Sequence, residues 1–600
     1  MAIEQSQESE VVIPDDHTVS ITWRESLIDS VVVLFFVSLS LVIFFRLWTF
    51  HPHIPIHYDG DGLPVLGAFR NFQEHNWYFY SSKVGYPFGQ HLQDFPAPAD
   101  GFSLTLGWLL VKVLRDPVLA FNALFFLTYP ITALAGYFGA RLLTLTRLSS
   151  IVIGVLFAFA PYHALHGAPH LFLSMYAIIP IVVGFVFREV SGIASHNKAE
   201  AQSRVKRYLP YVAVGLAASV FGLYYAFFSL IFFAIGIVFI LIDEGEIRSI
   251  WKLAIAIGAT FVGLVLQFLP IISFQHQYGS NLGIVKRTIA DVEGYPLRLI
   301  DLLLPVPWHH ISLLANFSNK NRSAFVPGEA NGFFGFIGAL GVIILLVAVF
   351  SPSRQFFQKS GIQLLSRFFL FFLLASAVGG FNQILAAIGF TQIRVWSRAA
   401  IFLAFIAVAS FFLVFEWISR RYKVRSFFYL LIMCVLLIGG LWDTNRSIPK
   451  DAYAWNSLGW HNDQQIVRSI EATFGAGARV LQLPILKFPE QGPVEQLTDY
   501  AQLRGSLHSR SLCWSYGVVS GRDDNRTATW QALSLKKQID QARLQGFDVV
   551  WIELRAYPER GINQSEALSA ILGPPVLTDS LKLVQVFDMR EDKQNKRDNC

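Results

Sequence analysis

The sequence predicts an all-α polytopic membrane protein followed by a small C-terminal α/β unit. Three observations lead there. Hydrophobic residues make up 53% of the 600 and charged residues only 15%, with a mean hydropathy of +0.45, a balance foreign to ordinary soluble multidomain chains. Apolar stretches close to the ~20 residues that a ~30 Å hydrocarbon core demands recur about eleven times. Residues 443–600 then leave this pattern and alternate helix-period with strand-period segments.

Taken in order, residues 1–25 begin "MAIEQSQESEVVIPDDHTVS", too acidic for a signal-peptide n-region, and read as a disordered cytoplasmic tail before an uncleaved span. The spans fall near 28–49, 117–140, 149–165, 170–188, 208–224, 226–242, 252–273, 332–351, 368–388, 398–418 and 426–442. "RDPVLAF" supplies a cap at Asp116 and a proline at the first helical position, Pro117. The long apolar run 208–242 is divided at "FGLYYAFF", because a single helix of that length would overshoot the bilayer.

Orientation follows from the short loops, in which lysine and arginine mark the cytoplasmic side. With the N-terminus inside, the cytoplasmic loops hold Arg141 and Arg147; Lys198, Arg204, Lys206 and Arg207; Arg248 and Lys252; Arg354, Lys359 and Arg367; and Arg420, Arg421, Lys423 and Arg425. Every one is basic. Within the membrane unit 26–442, this puts the loops 50–115 and 274–331 outside, together with the extracytoplasmic unit 443–600. "GFSLTLGWLLVKVL" is too short to span comfortably and reads as a helix lying in the interface. In the last unit, "DQQIVRSIEATF", "LSLKKQIDQARLQ" and "NQSEALSAIL" read as helices, and "ARVLQLPI", "FDVVWIEL" and "LKLVQVFDM" as strands.

Several function classes fall away. The C-terminal unit has no Gly-rich phosphate loop and no nucleophile elbow, and no basic stripe points to nucleic acid. Three cysteines give neither a metal spacing nor a disulfide framework. Cys434 reads as a packing residue inside an apolar run, and a Cys513–Cys600 pair would involve a terminus that frays. "LHSRSLCWSYGVVSGRDDNR" reads either as an ordered surface loop or as a sugar contact.

The residues with chemistry in them gather in the outer loops. "IPIHYDGDGLPVLG" follows the first span and sets Asp59 and Asp61 one glycine apart; Asp94 and Asp100 follow in "HLQDFPAPADGF". Carboxylates held at a membrane surface can act as a general base or hold a divalent cation against a phosphate. Of the first pair, Asp59 is favoured, because it follows Tyr58 and lies nearer the membrane exit. "PYHALHGAPH" offers His163, His166 and His170. Gly167 and Pro169 interrupt a shared helix face, so these histidines read as the polar lining of an outward-facing cavity or as simple interfacial residues, rather than as metal ligands. Lys286, Arg287 and Arg298 lie in the second outer loop, and Arg394 and Arg398 are four residues apart at the start of a span in "TQIRVWSRAAIFLAF". Arginine at membrane depth either snorkels or meets an anion, and a phosphate suits its fork.

"YDGDG", "YPFGQHLQDFPAPADG", "FAPYHALHGAPHLFLSMYAIIPI" and "RVWSRAAIF" are similar to segments of bacterial YfhO-like membrane proteins. The layout over roughly residues 25–440 resembles that of the GT-C superfamily of membrane glycosyltransferases. The resemblance implies a GT-C fold in the bacterial cytoplasmic (inner) membrane and transfer of a sugar from a polyprenyl-phosphate-type lipid donor to a cell-surface glycan or lipid acceptor at the outer face. It maps the outer-loop acidic residue onto Asp59 or Asp61, although D-x-D replaces an adjacent acidic pair. Arg394, Arg398 and Arg298 would meet the leaving phosphate, with a divalent cation (Mg or Mn) as a candidate cofactor. The rival reading is a transporter or flippase, or a non-catalytic partner in export of lipid-linked or polysaccharide intermediates. Transporters tend to carry inverted repeats and mid-span ionisable residues, and the sequence shows no repeat.

Overall fold

The computed structural model describes residues 23–95, 100–192, 204–243, 247–281, 283, 287–323, 329, 332–351, 355–522 and 527–590. The N-terminal tail, Lys198, Lys286, Arg354 and Cys600 lie outside them. Ten helices lead through the first half: α1 (Trp23–Phe44), α2 (Gly62–His75), α3 (Gly101–Leu114), α4 (Pro117–Leu142), α5 (Arg147–Ala158), α6 (Pro161–His166), α7 (Ile178–Val190), α8 (Arg204–Val220), α9 (Leu223–Ile242) and α10 (Ile247–Tyr278). The main helices that follow are Gly335–Phe350, Ile362–Ser376, Ala400–Arg421 and Ser426–Thr444. Seven helices among the described residues are long and apolar enough to cross a membrane, which makes this a multi-pass membrane protein.

Burial follows the helical period. α1 buries Val33, Val37 and Leu41 and turns Phe35, Leu39 and Ile43 outward, so one stripe packs and the other is apolar for lipid. Ala400–Arg421 is the hub: every residue from Ala399 to Ala407 is 2% exposed or less, as an all-apolar helix at the centre of a bundle should be. Close approach depends on missing side chains, because a Cβ on Gly341 would fall 1.9 Å from the Ala407 carbonyl oxygen and one on Gly136 would fall 3.0 Å from the Gly154 Cα.

Some elements depart from expectation. The stretch 167–177 forms turns, and α7 begins only at Ile178; this frees His170 from any span. The segment 368–388 is broken between Ser376 and Phe381. α10 runs 32 residues, about 48 Å at 1.5 Å per residue, and so reaches well past a bilayer. Its protruding end carries Phe274, stacked on His91, with the Arg522 guanidinium 4.9 Å from the Phe274 ring centre. Cys434 is exposed rather than packed.

Between α2 and α3, β1 (Tyr80–Ser81) and β2 (Gln90–His91) form a short antiparallel pair. The C-terminal segment holds β3 (Arg479–Leu483), β4 (Cys513–Trp514), β5 (Val549–Glu553), β6 (Leu577–Thr578) and β7 (Val584–Asp588) in the order β4-β3-β5-β7-β6. β3 is parallel to β4 and β5, and β7 is antiparallel to β5 and β6. Successive side chains alternate between faces. Leu481, Leu483, Val550 and Ile552 meet Ile539 and Leu568 on one side, while Val480, Val549 and Trp551 meet Ile466 and Val467 on the other. Both faces are therefore covered by helices, the usual condition of parallel strands.

Candidate active site

The loop between α1 and α2 is fixed before it reaches its carboxylates. Asn122 of α4 donates to the carbonyls of Pro52 and Ile54, each at 2.8 Å, and accepts from the Ile56 N–H at 2.9 Å. Asn456 donates to the Ile56 carbonyl from the other side at 2.8 Å. Tyr58 is buried, its hydroxyl 2.8 Å from Asp463 and 2.9 Å from His508 Nε2, with the Arg504 guanidinium 4.7 Å from its ring centre. Gly60 then turns with φ +46°, and Gly62 lies so close to His57 that a Cβ there would meet the imidazole Cδ2 at 2.8 Å. Glycine alone fits this bend comfortably.

The bend separates the two aspartates. Asp59 Oδ1 accepts from the Gly60 N–H at 3.0 Å and from the Thr498 hydroxyl. Asp61 is exposed at the start of α2, with no side-chain capping bond, and its Oδ2 lies 3.4 Å from His170 Nδ1. The open carboxylate is thus Asp61, while Asp59 is held. His57 beside them is kept neutral: burial lowers its pKa against the opposing pull of Asp59 and Asp61.

From Asp61 the polar groups continue inward as a file. The His170 and His166 rings are 5.8 Å apart. His166 Nδ1 faces the Tyr162 carbonyl at 2.9 Å, and its Nε2 is 3.4 Å from Glu329 Oε2. Glu329 accepts a fork from Arg398, Nε at 3.1 Å and Nη2 at 2.6 Å. The Arg398 guanidinium lies over the Tyr224 ring, 4.4 Å from its centre. Burial by itself would raise the Glu329 carboxyl, but His166 and Arg398 hold it well below the usual carboxylate range. Asp100, just before α3, adjoins Gly222. Burial pushes its carboxyl up to about 7, with Arg398 opposing the shift.

Asp61, Asp100, His166, His170 and Arg398 therefore converge, and Asp59 sits beside them. The other candidates lie elsewhere. His163 is a core residue, stacked 3.7 Å from Tyr129 and bonded to Thr128 at 2.9 Å and Tyr176 at 3.2 Å. Asp94 is buried in a fork with Arg522, whose Nη2 is 2.8 Å away. Arg298 lies 3.1 Å from Asp301, and Arg394 rests 5.3 Å from the Tyr295 ring centre. Sequence reasoning missed Glu329, Thr498 and Asp463. Glu329 stands alone in "AFVPGEANGF", where nothing local marks it; only its contacts with His166 and Arg398 do. Among the described residues, no three His, Cys, Asp or Glu side chains are grouped to hold a metal. The side chains present would give a cation only part of a ligand set.

The C-terminal segment closes over this region. Leu512 to Trp514 are buried rather than forming a surface loop. The Tyr86 N–H donates to the Trp514 carbonyl, and the Trp514 N–H to the Lys83 carbonyl, both at 2.8 Å. Arg287 forks onto Glu490 at 2.6 and 3.1 Å. Asp499 lies near Asp61 and Glu490, and burial, reinforced by those two charges, raises its pKa.

No protein-family model matches the chain, and no curated protein matches it by sequence. Among solved structures, it is similar to the arabinofuranosyltransferase AftD from Mycobacteria, at 14% identity and a TM-score of 0.49 over 96% of this chain. It spans only 40% of the length of that protein. It is also similar to the oligosaccharyltransferase of Archaeoglobus fulgidus, at 12% identity and a TM-score of 0.45, covering 90% of this chain and 70% of that one. A third similarity is to ArnT from Cupriavidus metallidurans bound to undecaprenyl phosphate, at 12% identity and a TM-score of 0.44, covering 95% of this chain and 100% of that one.

Proposed function

We propose that this protein is a GT-C-type membrane glycosyltransferase that moves a sugar from a polyprenyl-phosphate-type donor to a glycan or lipid acceptor at the outer face of the bacterial inner membrane. The observation that carries this reading is the file Asp61–His170–His166–Glu329–Arg398, contributed by four separate stretches of chain. One end is an exposed carboxylate and the other a largely buried guanidinium. That is the polarity a transfer needs: a base for the nucleophile and a cation for the leaving phosphate.

In this reading, the acceptor hydroxyl oxygen bonds to the anomeric carbon as the bond from that carbon to the lipid phosphate oxygen breaks. The hydroxyl proton passes to Asp61, and the phosphate leaves with the bonding pair. His170 orients Asp61. Arg398 spends Nε and Nη2 on Glu329 and keeps its Nη1 hydrogens for a phosphate oxygen. Asp59 is a positioning residue, tied to Thr498. Residues 443–600 form the outer unit that closes over the reaction.

The test is mass spectrometry of surface glycans and lipid-linked sugars in a deletion strain carrying Asp61→Asn or Asp59→Asn. Asn keeps the shape and removes the proton acceptor, so Asp61→Asn should lose roughly 10²–10⁴ in rate, with Asp59→Asn partly active. Wild-type glycan from both variants and from their combination would remove the transferase reading and leave the export-partner alternative.

A further inference from the structure

A cavity of about 350 Å³ opens away from the acidic loop, between the start of α4 and the C-terminal segment. Its volume falls within the range of small-molecule sites. Arg70, Arg115 and Arg510 line it together with Trp460, His508 and Gln464. The arginines come from three separate places: α2, the turn between α3 and α4, and the stretch after His508. Arg115 and Arg510 are exposed, and Arg510 donates to Gln73 Oε1 at 3.2 Å through Nη2. Arg70 is anchored by Glu74 at 2.7 Å and by the Ser509 carbonyl at 2.8 Å, which fixes the floor.

The carboxylate in this wall is already engaged. Asp116 accepts from the N–H groups of Val118 and Leu119 at 2.8 and 3.1 Å and lies 2.6 Å from His53. Burial, joined by the charges of Arg504, Arg70 and Arg468, pushes the His508 imidazole down to about 3. Three guanidinium groups, one indole and one carboxamide suit a hydroxylated ring bearing a carboxylate, since arginine grips carboxylates with a planar fork.

We propose that this cavity binds an acidic saccharide, with a carboxylate-bearing sugar held among Arg70, Arg115 and Arg510. It is also joined to the acidic loop: Trp460 packs 4.1 Å from His508 and 5.1 Å from Tyr58, measured between ring centres, and Tyr58 precedes Asp59. A bound acidic glycan therefore sits against the residue that fixes the loop, as a holding subsite for the acceptor chain or the product. That role rests on the transfer reading above; the binding does not.

The experiment is calorimetric titration of the full chain, in phosphatidylcholine nanodiscs, with digalacturonate, cellobiose and inorganic phosphate. Digalacturonate should bind at least tenfold more tightly than either of the others and weaken with added salt. Arg115→Asn with Arg510→Gln should weaken it at least tenfold at an unchanged unfolding temperature. Asn is chosen because Arg115 has φ 57°, which asparagine tolerates. Arg510→Gln alone, at an exposed position, serves if the double variant is unstable. No digalacturonate binding, equal affinity in the variants, or phosphate binding as tightly would overturn the proposal. So would loss of binding when phosphatidylglycerol replaces phosphatidylcholine, which would make a lipid headgroup the occupant. Digalacturonate binding that persists while Asp61→Asn, Asp59→Asn and their combination all give wild-type glycan would sink the transfer reading and spare this one.

Discussion

At the residue scale, the site shows how neighbours divide the work of similar side chains. Asp59 and Asp61 differ in reach because one is tied to Gly60 and Thr498 and the other is exposed, 3.4 Å from His170. Arg398 and Arg394 differ likewise: the first is forked on Glu329 over Tyr224, and the second rests on Tyr295. Arg398→Lys should lower turnover tenfold or more in a lipid-donor assay, because an ammonium loses both the fork and the flat stack. Arg394→Lys should change it little. Asp100 gives a pH signature. Its carboxyl is raised from 3.8 to about 7, so between those values the folded state holds a proton that the unfolded state has lost. Its contribution therefore falls as pH rises through this window and levels off above about 7. Comparing thermal unfolding of Asp100→Asn and wild type from pH 4 to 8 should show the wild type losing ground to the variant as pH rises.

At the element scale, the decisive unit is the loop between α1 and α2. It is pinned by Asn122 from one side and Asn456 from the other, then bent at Gly60 and Gly62. Gly62→Ala would drive a methyl to 2.8 Å from the His57 ring. We expect a loss of about 1–3 kcal/mol from such overpacking. Activity should fall although both aspartates remain. Faster hydrogen exchange over residues 55–62 at unchanged exchange in α4 would verify it; unaltered exchange and activity would show that the loop absorbs the methyl.

At the scale of the whole molecule, the C-terminal segment is docked by groups far apart in sequence. Asp94 with Arg522, Arg287 with Glu490 and Tyr58 with Asp463 all cross this junction. The proposed topology, with the basic short loops on the cytoplasmic side, sets the segment on the opposite side. A reporter active only in the cytoplasm, fused after Trp442, should therefore stay silent; a signal would reverse the topology and the proposed mechanism together. Arg522→Ala leaves the Asp94 carboxylate buried without its fork, so limited proteolysis should cut between the bundle and the sheet faster than in wild type.

The sequence by itself determined the membrane-spanning character and the type of most elements, because hydrophobic periodicity is a local property and the bilayer enforces a length. It also marked Asp61, His166, His170, Asp100 and Arg398, since charge beside an apolar run is conspicuous anywhere along a chain. It favoured Asp59 over Asp61, and the structure reverses their exposure, because Asp59 is bonded to Thr498, a residue 439 positions away. It could not find Glu329, or tell that His163 is packed while His166 and His170 lie on the polar file. Only the tertiary structure decided these points: a side chain's partners, and hence its charge and freedom, are set by which distant segments the packing brings within 3 to 4 Å.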